Sequence, residues 1–404
     1  MKMTKIGKTV YVKKTTPANT RNTEGAFIEL EDQSLMYAWS CYGSDGEDWG
    51  KTTISACFSY DGGHTWGEER VLVRMEEDGL FSRDPKIPQN IMSVSLLRMN
   101  NGDIGMFYLI RRALDDMHLY LRRSSDNAKT WSDAVCCTNS SGCFVVSNDR
   151  VIKLNSGRLI VPAAYHRVKN SAVGDKELVQ ELGNILDMCS EAIFFISDDD
   201  GRTWRENAHK LTMPVTWSTS GLQEPGVLEL ANGVLWGWAR TDVGRQYEMF
   251  SMDSGEYWTQ PQPARHFPSP CSPMVAKRAP SGDIFAVWNP IPFLFSETFL
   301  DYGMTSCAQI RTPLVIAGSK DEGNTWSLMR GVDAIDEDCG VAEYPAVYCL
   351  EDALLVCYDM SVKDGLDMII KRIPYEEIYD DPRTAKIRQH ATQDMGLRNP
   401  QKQD

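Results

Sequence analysis

The chain has 404 residues, with 42 Lys and Arg against 56 Asp and Glu, a formal charge of −14, and is 42% hydrophobic. That composition can bury a large core and excludes a disordered polymer, and no basic block is interleaved with aromatics, which argues against nucleic acid as a partner. No stretch reaches the roughly 18 apolar residues of a membrane helix, so no membrane contact is expected.

In chain order, Met1 to Lys14 contains lysines but no apolar run of signal-peptide length, which predicts a cytoplasmic protein. Thr9 to Val12 reads as a strand. Phe27 to Leu30 is a second, and the Gly-rich loop from Cys41 to Gly50 carries Asp45, Glu47 and Asp48. At Ser59 a distinctive octapeptide begins, SYDGGHTW, and near-copies start at Ser124, Ser197, Ser251 and Ser319. Ala128 replaces the usual Gly in the second copy, and Tyr257 replaces the usual Thr in the fourth. The shared pattern is a hairpin turn: Ser and Asp side chains bond the turn backbone, Gly supplies positive φ, and Trp packs beneath. These residues fold the chain and are not candidates for chemistry.

Successive copies begin 54 to 73 residues apart, room for about four short strands each. The intervals supply them: Ile104 to Ile110, Leu159 to Ala164, Val234 to Trp238, Ile284 to Trp288 and Ala353 to Tyr358, many preceded by an Asn-Gly or Ser-Gly turn. The expected fold is all-β, a single domain over residues 1–404 forming a six-bladed β-propeller with Asp-box turns. Thr9 to Val12 is expected to join the sixth blade. Asp175 to Met188 has helical apolar spacing and predicts a short helical insertion, and residues 385–404 form a polar tail. The 11 cysteines are scattered, mostly in apolar runs, which fits free thiols in a reducing compartment. No zinc spacing surrounds Cys136, Cys137 and Cys143, so neither a metal nor an organic cofactor is expected.

Gln223-Glu224-Pro225, an apolar strand, a turn and then Ala239-Arg240 put a carboxylate and a guanidinium 16 residues apart at one end of a hairpin. Arg311 stands 8 residues before Ser319, and Tyr344 opens the last apolar stretch but one. With the Asp-box turns, this order resembles the sialidase (neuraminidase) family, over about Arg21 to Tyr375. The resemblance implies an exo-glycosidase acting on an oligosaccharide or other glycoside that ends in sialic acid or a related keto-sugar acid. Arg21, Arg240 and Arg311 then grip the substrate carboxylate, Tyr344 is the nucleophile, Glu224 takes its proton and Asp48 is the acid/base, with Asp45 and Glu47 alternatives in the same loop. The family's usual Arg-Ile-Pro triplet is here Arg21-Asn22-Thr23, with Glu24 a further polar contact. Arginine forks suit a carboxylate, and a neutral phenol meets no repulsion beside one. Three arginines are expected to lower the Tyr344 pKa.

Asn148-Asp149-Arg150 and Tyr165-His166-Arg167 have no counterpart in that pattern. Asp149, Arg150 and His166 are candidate subsite residues, or partners for one another. Two other readings stay open: a different propeller carbohydrate enzyme, whether an arabinanase-type or rhamnosidase-type hydrolase or a polysaccharide lyase, and a non-catalytic glycan-binding propeller. The sequence does not indicate the oligomeric state.

Overall fold

The computed structural model describes residues 4–48, 50–75, 89–113, 115–169, 185–291, 311–335 and 340–380. Residues 175–184 of the helical insertion predicted at 175–188 lie outside them, as does the polar tail. The fold is all-β, and the described residues include one short helix, Tyr375–Tyr379.

After β1 (Lys8–Lys13), the chain runs in antiparallel meanders. The first is β2 (Arg21–Glu29), β3 (Leu35–Tyr42), β4 (Thr52–Ser59) and β5 (Gly67–Arg74). The second is β6 (Asn90–Arg98), β7 (Ile104–Ala113), β8 (Asp116–Ser124) and β9 (Val135–Cys136). In the third, β10 (Cys143–Val145) and β11 (Ile152–Lys153) both pair with β12 (Leu159–His166), followed by β13 (Glu191–Ser197) and β14 (Arg205–Glu206). β10 also bonds β8 in parallel, so the second and third meanders form one continuous sheet. The fourth is β15 (Gln223–Glu229), β16 (Leu235–Arg240), β17 (Arg245–Ser251) and β18 (Gln262–Pro268). The fifth is β19 (Val275–Arg278), β20 (Ile284–Trp288), β21 (Leu314–Ser319) and β22 (Arg330–Asp333). The last comprises β23 (Ala342–Cys349), β24 (Ala353–Val362) and β25 (Gly365–Pro374), with β1 as its fourth strand. The Thr9 to Val12 run therefore pairs with the last meander, as its sequence suggested.

Central strands such as β7 and β20 are buried on both faces, which is why they read as unbroken apolar runs. Their side chains pack between meanders. Phe58 and Ile54 of the first meet Met106 and Tyr108 of the second, and Phe107 of the second meets Phe195 of the third. Phe194 meets Trp258, Trp238 meets Trp288, and Phe285 meets Val356, each across one further boundary. A sixth cluster joins Trp39 and Tyr37 of the first meander to Leu355 and Met368 of the last.

The octapeptides are turns held as the residues dictate. In the first, Ser59 Oγ donates to Asp61, Gly63 N donates to Ser59 Oγ at 2.9 Å, and Thr65 N donates to Asp61 Oδ1 at 2.9 Å. Trp66 Nε1 donates to the Gly63 carbonyl at 3.3 Å. In the second copy Ala128 still adopts φ 64°, but Trp131 Nε1 is buried without a partner. Tyr257 in the fourth keeps the backbone bond to Asp253 at 3.0 Å but supplies no Thr hydroxyl to it.

Candidate functional site

The site is built on irregularities in the first strand of several meanders. Register slips between Thr23 and Ala26, Met92 and Ser95, Gln223 and Gly226, and Glu343 and Ala346. At each slip a non-glycine residue takes left-handed backbone: Glu24 (φ 56°), Ser93 (φ 59°), Glu224 (φ 44°) and Tyr344 (φ 48°). Asp149, just before β11, does the same at φ 57°. Such bulges re-aim side chains, and each left-handed residue costs about 1–3 kcal/mol that the surrounding structure must offset.

At two of these positions stand Tyr344 and Glu224. Tyr344 Oη donates to Glu224 Oε1 at 3.3 Å, while Arg240 Nη1 donates to Glu224 Oε2 at 2.9 Å. Arg240 reaches Glu224 because it closes β16 directly opposite Gln223. Its Nε donates to the Cys271 sulfur at 3.2 Å. Arg311 lies with its guanidinium carbon 5.6 Å from the centre of the Tyr344 ring and pairs with Glu343. Burial, and then Glu224, push the Tyr344 phenol well above its ordinary range, against the opposing pull of Arg311 and Arg240. Arg311 and Arg240 thus lower the phenol's pKa, as expected of the arginines, but burial outweighs them. The pocket is too desolvated for their charge to prevail.

Arg21 and Asp48 form the other half. Arg21 donates from Nη1 to Asp48 Oδ1 at 2.5 Å and from Nη2 to Glu24 Oε1 at 3.0 Å, with its guanidinium carbon 4.5 Å from the Tyr42 ring centre. Ser93 Oγ donates to the other oxygen of Glu24, and Asn90 Nδ2 donates to the Asp48 carbonyl. Desolvation acts to raise the Asp48 carboxyl, but Arg21, helped by Arg111 and Arg311, holds it below the usual aspartate range. The Asp48 side chain remains 57% exposed. Burial wins at Glu24, which is raised to about 7 despite Arg21 and the Ser93 hydrogen bond. Asp45 and Glu47 have no ion pair among the described residues.

The remaining candidates are arranged differently. Asp149 accepts from Lys277 Nζ at 2.7 Å and from the Val347 amide at 3.1 Å. It lines a recess of about 960 Å³ with Glu29, Lys277 and Cys349 that holds none of the three arginines or Tyr344. Arg150 is 2% exposed, and all three of its guanidinium nitrogens are without a partner, within electrostatic range of Glu224, Asp149 and Tyr344. His166 Nδ1 bonds the Asp187 carbonyl at 2.8 Å, and burial keeps the imidazole below its ordinary pKa and so neutral at pH 7. Asp149, Arg150 and His166 thus do not satisfy one another.

Sequence reasoning did not nominate Ser93, Arg111, Glu343 or Asp359. Asp359, across the strand pair from Glu343, is pushed well above the aspartate range by burial and then by Glu343. Only Glu343, adjacent to Tyr344, had a local signal. Among the described residues no group of three or more His, Cys, Asp or Glu is placed to hold a metal, and no helix is long and apolar enough to cross a membrane.

The arrangement can hold an anion among guanidinium groups beside a phenol that has a carboxylate acceptor. Similar folds occur in a Hadza microbial sialidase (TM-score 0.64, 17% identity, 88% of this chain and 66% of that one). They occur also in the Trypanosoma rangeli sialidase (0.60, 14%, 87% and 55%) and the NanB sialidase from Streptococcus pneumoniae (0.63, 12%, 94% and 72%). The chain spans less than two thirds of the length of the first two, and identities this low establish a shared fold alone. No curated protein matches the chain. The profile of the BNR repeat-like domain matches residues 33–357, most of the sequence, and the chain therefore belongs to that family.

Proposed function

We propose that the protein is a retaining exo-glycosidase that removes a terminal sialic acid, or a related keto-sugar acid, from glycans. The observation that carries this reading is the Tyr344 hydroxyl donating to a Glu224 carboxylate that Arg240 fixes in place. In the reaction so proposed, Arg21, Arg240 and Arg311 bind the sugar carboxylate. Tyr344 Oη attacks the anomeric carbon as its proton passes to Glu224, and the leaving oxygen takes a proton from Asp48. Water then attacks the same carbon, giving its proton to Asp48, and Tyr344 departs and recovers its proton from Glu224. Asp48 is ionised against Arg21. A substrate carboxylate that draws Arg21 away removes the charge holding the Asp48 pKa down, so binding itself prepares the acid.

The meanders are proposed to be six blades of a closed propeller. The apolar cluster shared by the first and last meanders supports that closure. The nine described cysteines are all free, in keeping with a reducing compartment, and a cytoplasmic location is proposed. The deciding experiment offers purified protein a panel of sialyl, Kdo, arabinosyl and uronosyl glycosides. Release of sialic acid or Kdo, lost in Tyr344→Phe, is the expected result. Release of arabinose, or of an unsaturated uronic acid, refutes the reading.

A further inference from the structure

Matching the charges around Tyr344 and Asp48 leaves two guanidinium groups over. Arg21 meets Asp48 and Glu24, Arg240 meets Glu224, and Arg311 meets Glu343. Arg150 is sealed beneath the site at 2% exposure. Arg111 is different: it is 8% exposed, its Nε is without a hydrogen-bond partner, and it forms no ion pair among the described residues.

The position of Arg111 follows from register. It lies near the end of β7 opposite Asn90, the residue whose side chain bonds the Asp48 carbonyl. Continuing across the same sheet, the row passes through Met117 and Cys143 to His166. The Arg111 charge is felt by both ends, lowering Asp48 and His166 alike. His166 is neutral, so Arg111 is the permanent cation of this row. A leaving oxygen must come within hydrogen-bond reach of the Asp48 carboxyl to receive its proton. Arg111, one strand away from the residue that bonds the Asp48 backbone, therefore flanks the departing group, while Arg21, Arg240 and Arg311 face the sugar carboxylate.

The geometry points to a second anion subsite headed by Arg111, on the leaving-group side of the scissile bond, for a sulfate, phosphate or carboxylate carried by the aglycone. The inference rests on the proposed glycosidase reading, because it takes Asp48 as the acid. A buried guanidinium with an unmet donor gains most from an oxyanion, which its planar fork can engage through two charge-assisted bonds.

The test compares two aryl sialosides matched in leaving-group acidity, one neutral and one bearing a ring sulfate, on wild type, Arg111→Gln and Arg111→Lys. The wild-type kcat/KM is expected to be about tenfold higher for the sulfated substrate, as one well-placed charge pair provides. Arg111→Gln should bring that ratio to about one, and Arg111→Lys, which keeps the charge but loses the fork, should retain part of it. A wild-type ratio of one or less, with both sialosides cleaved, overturns the subsite and leaves the glycosidase reading intact. If neither sialoside is cleaved, that reading fails, and the subsite is judged on selenate soaked into wild-type crystals. An anomalous peak at Arg111, separate from any at Arg240 and Arg311, supports an anion site. Its absence overturns one.

Discussion

Arg21, in the first strand of the first meander, and Asp48, in the loop after that meander's second strand, meet in an ion pair of 2.5 Å that holds the Asp48 carboxyl ionised. In the proposed reaction Arg21 binds the sugar carboxylate and Asp48 is the acid, and an acid so held deprotonated acts only once that arginine has another anion to hold. Asp48→Asn should therefore reduce kcat about 10²–10⁴-fold on alkyl glycosides, where the leaving oxygen needs a proton. The loss should shrink sharply on aryl glycosides with acidic leaving groups. A uniform loss across a leaving-group series would remove Asp48 from the acid role.

Glu24, raised to about 7 by burial against the pull of Arg21, gives a pH dependence of known sign. Below pH 7 the carboxyl is neutral and Arg21 is less neutralised, so an anionic sugar should bind more tightly. KM is expected to rise several-fold between pH 6 and 8, and Glu24→Gln should flatten that rise. Stability moves the same way. The folded pKa lies above the ordinary 4.5, so the neutral carboxyl's contribution is fully present below about 4.5 and lost as pH rises through about 7, amounting to at most about 3 kcal/mol. Denaturant titrations of wild type and Glu24→Gln at pH 5 and 8 measure that difference, and parallel pH dependences in the two would rule it out.

Tyr344→Phe removes the hydroxyl that donates to Glu224 while leaving the ring beneath Arg311. Turnover should fall by about 10³-fold or more, with binding of the sugar acid nearly unchanged. Calorimetry on the variant separates the two effects. Retained kcat would place the nucleophile elsewhere.

Trp258, buried and stacked on Phe194 with ring centres 4.1 Å apart, ties the fourth meander to the third. Trp258→Ala should cost about 3–5 kcal/mol and Trp258→Phe about 1–2 kcal/mol, the latter reflecting the Nε1 bond to Gly255 and lost ring area. Chemical denaturation checks both. Because Trp258 lies outside the site, folded protein at low temperature should keep wild-type kcat/KM in either variant.

The octapeptide turns and the apolar strands were legible in the sequence because their causes are local: an Asp and a Ser that bond their own turn, a Gly or a tolerant Ala at positive φ, and side chains buried on both faces of a strand. The sequence order of Glu224, Arg240, Arg311 and Tyr344 likewise marked residues that the structure brings together. What only the tertiary structure decided is where the remaining charges go. Asp149 turns to Lys277 and Val347, Arg150 is buried without a partner, and Arg111 stands opposite Asn90, whose side chain bonds the Asp48 carbonyl. Left-handed bulges at non-glycine residues and contacts between distant meanders leave no local trace, because each depends on packing supplied by another part of the chain.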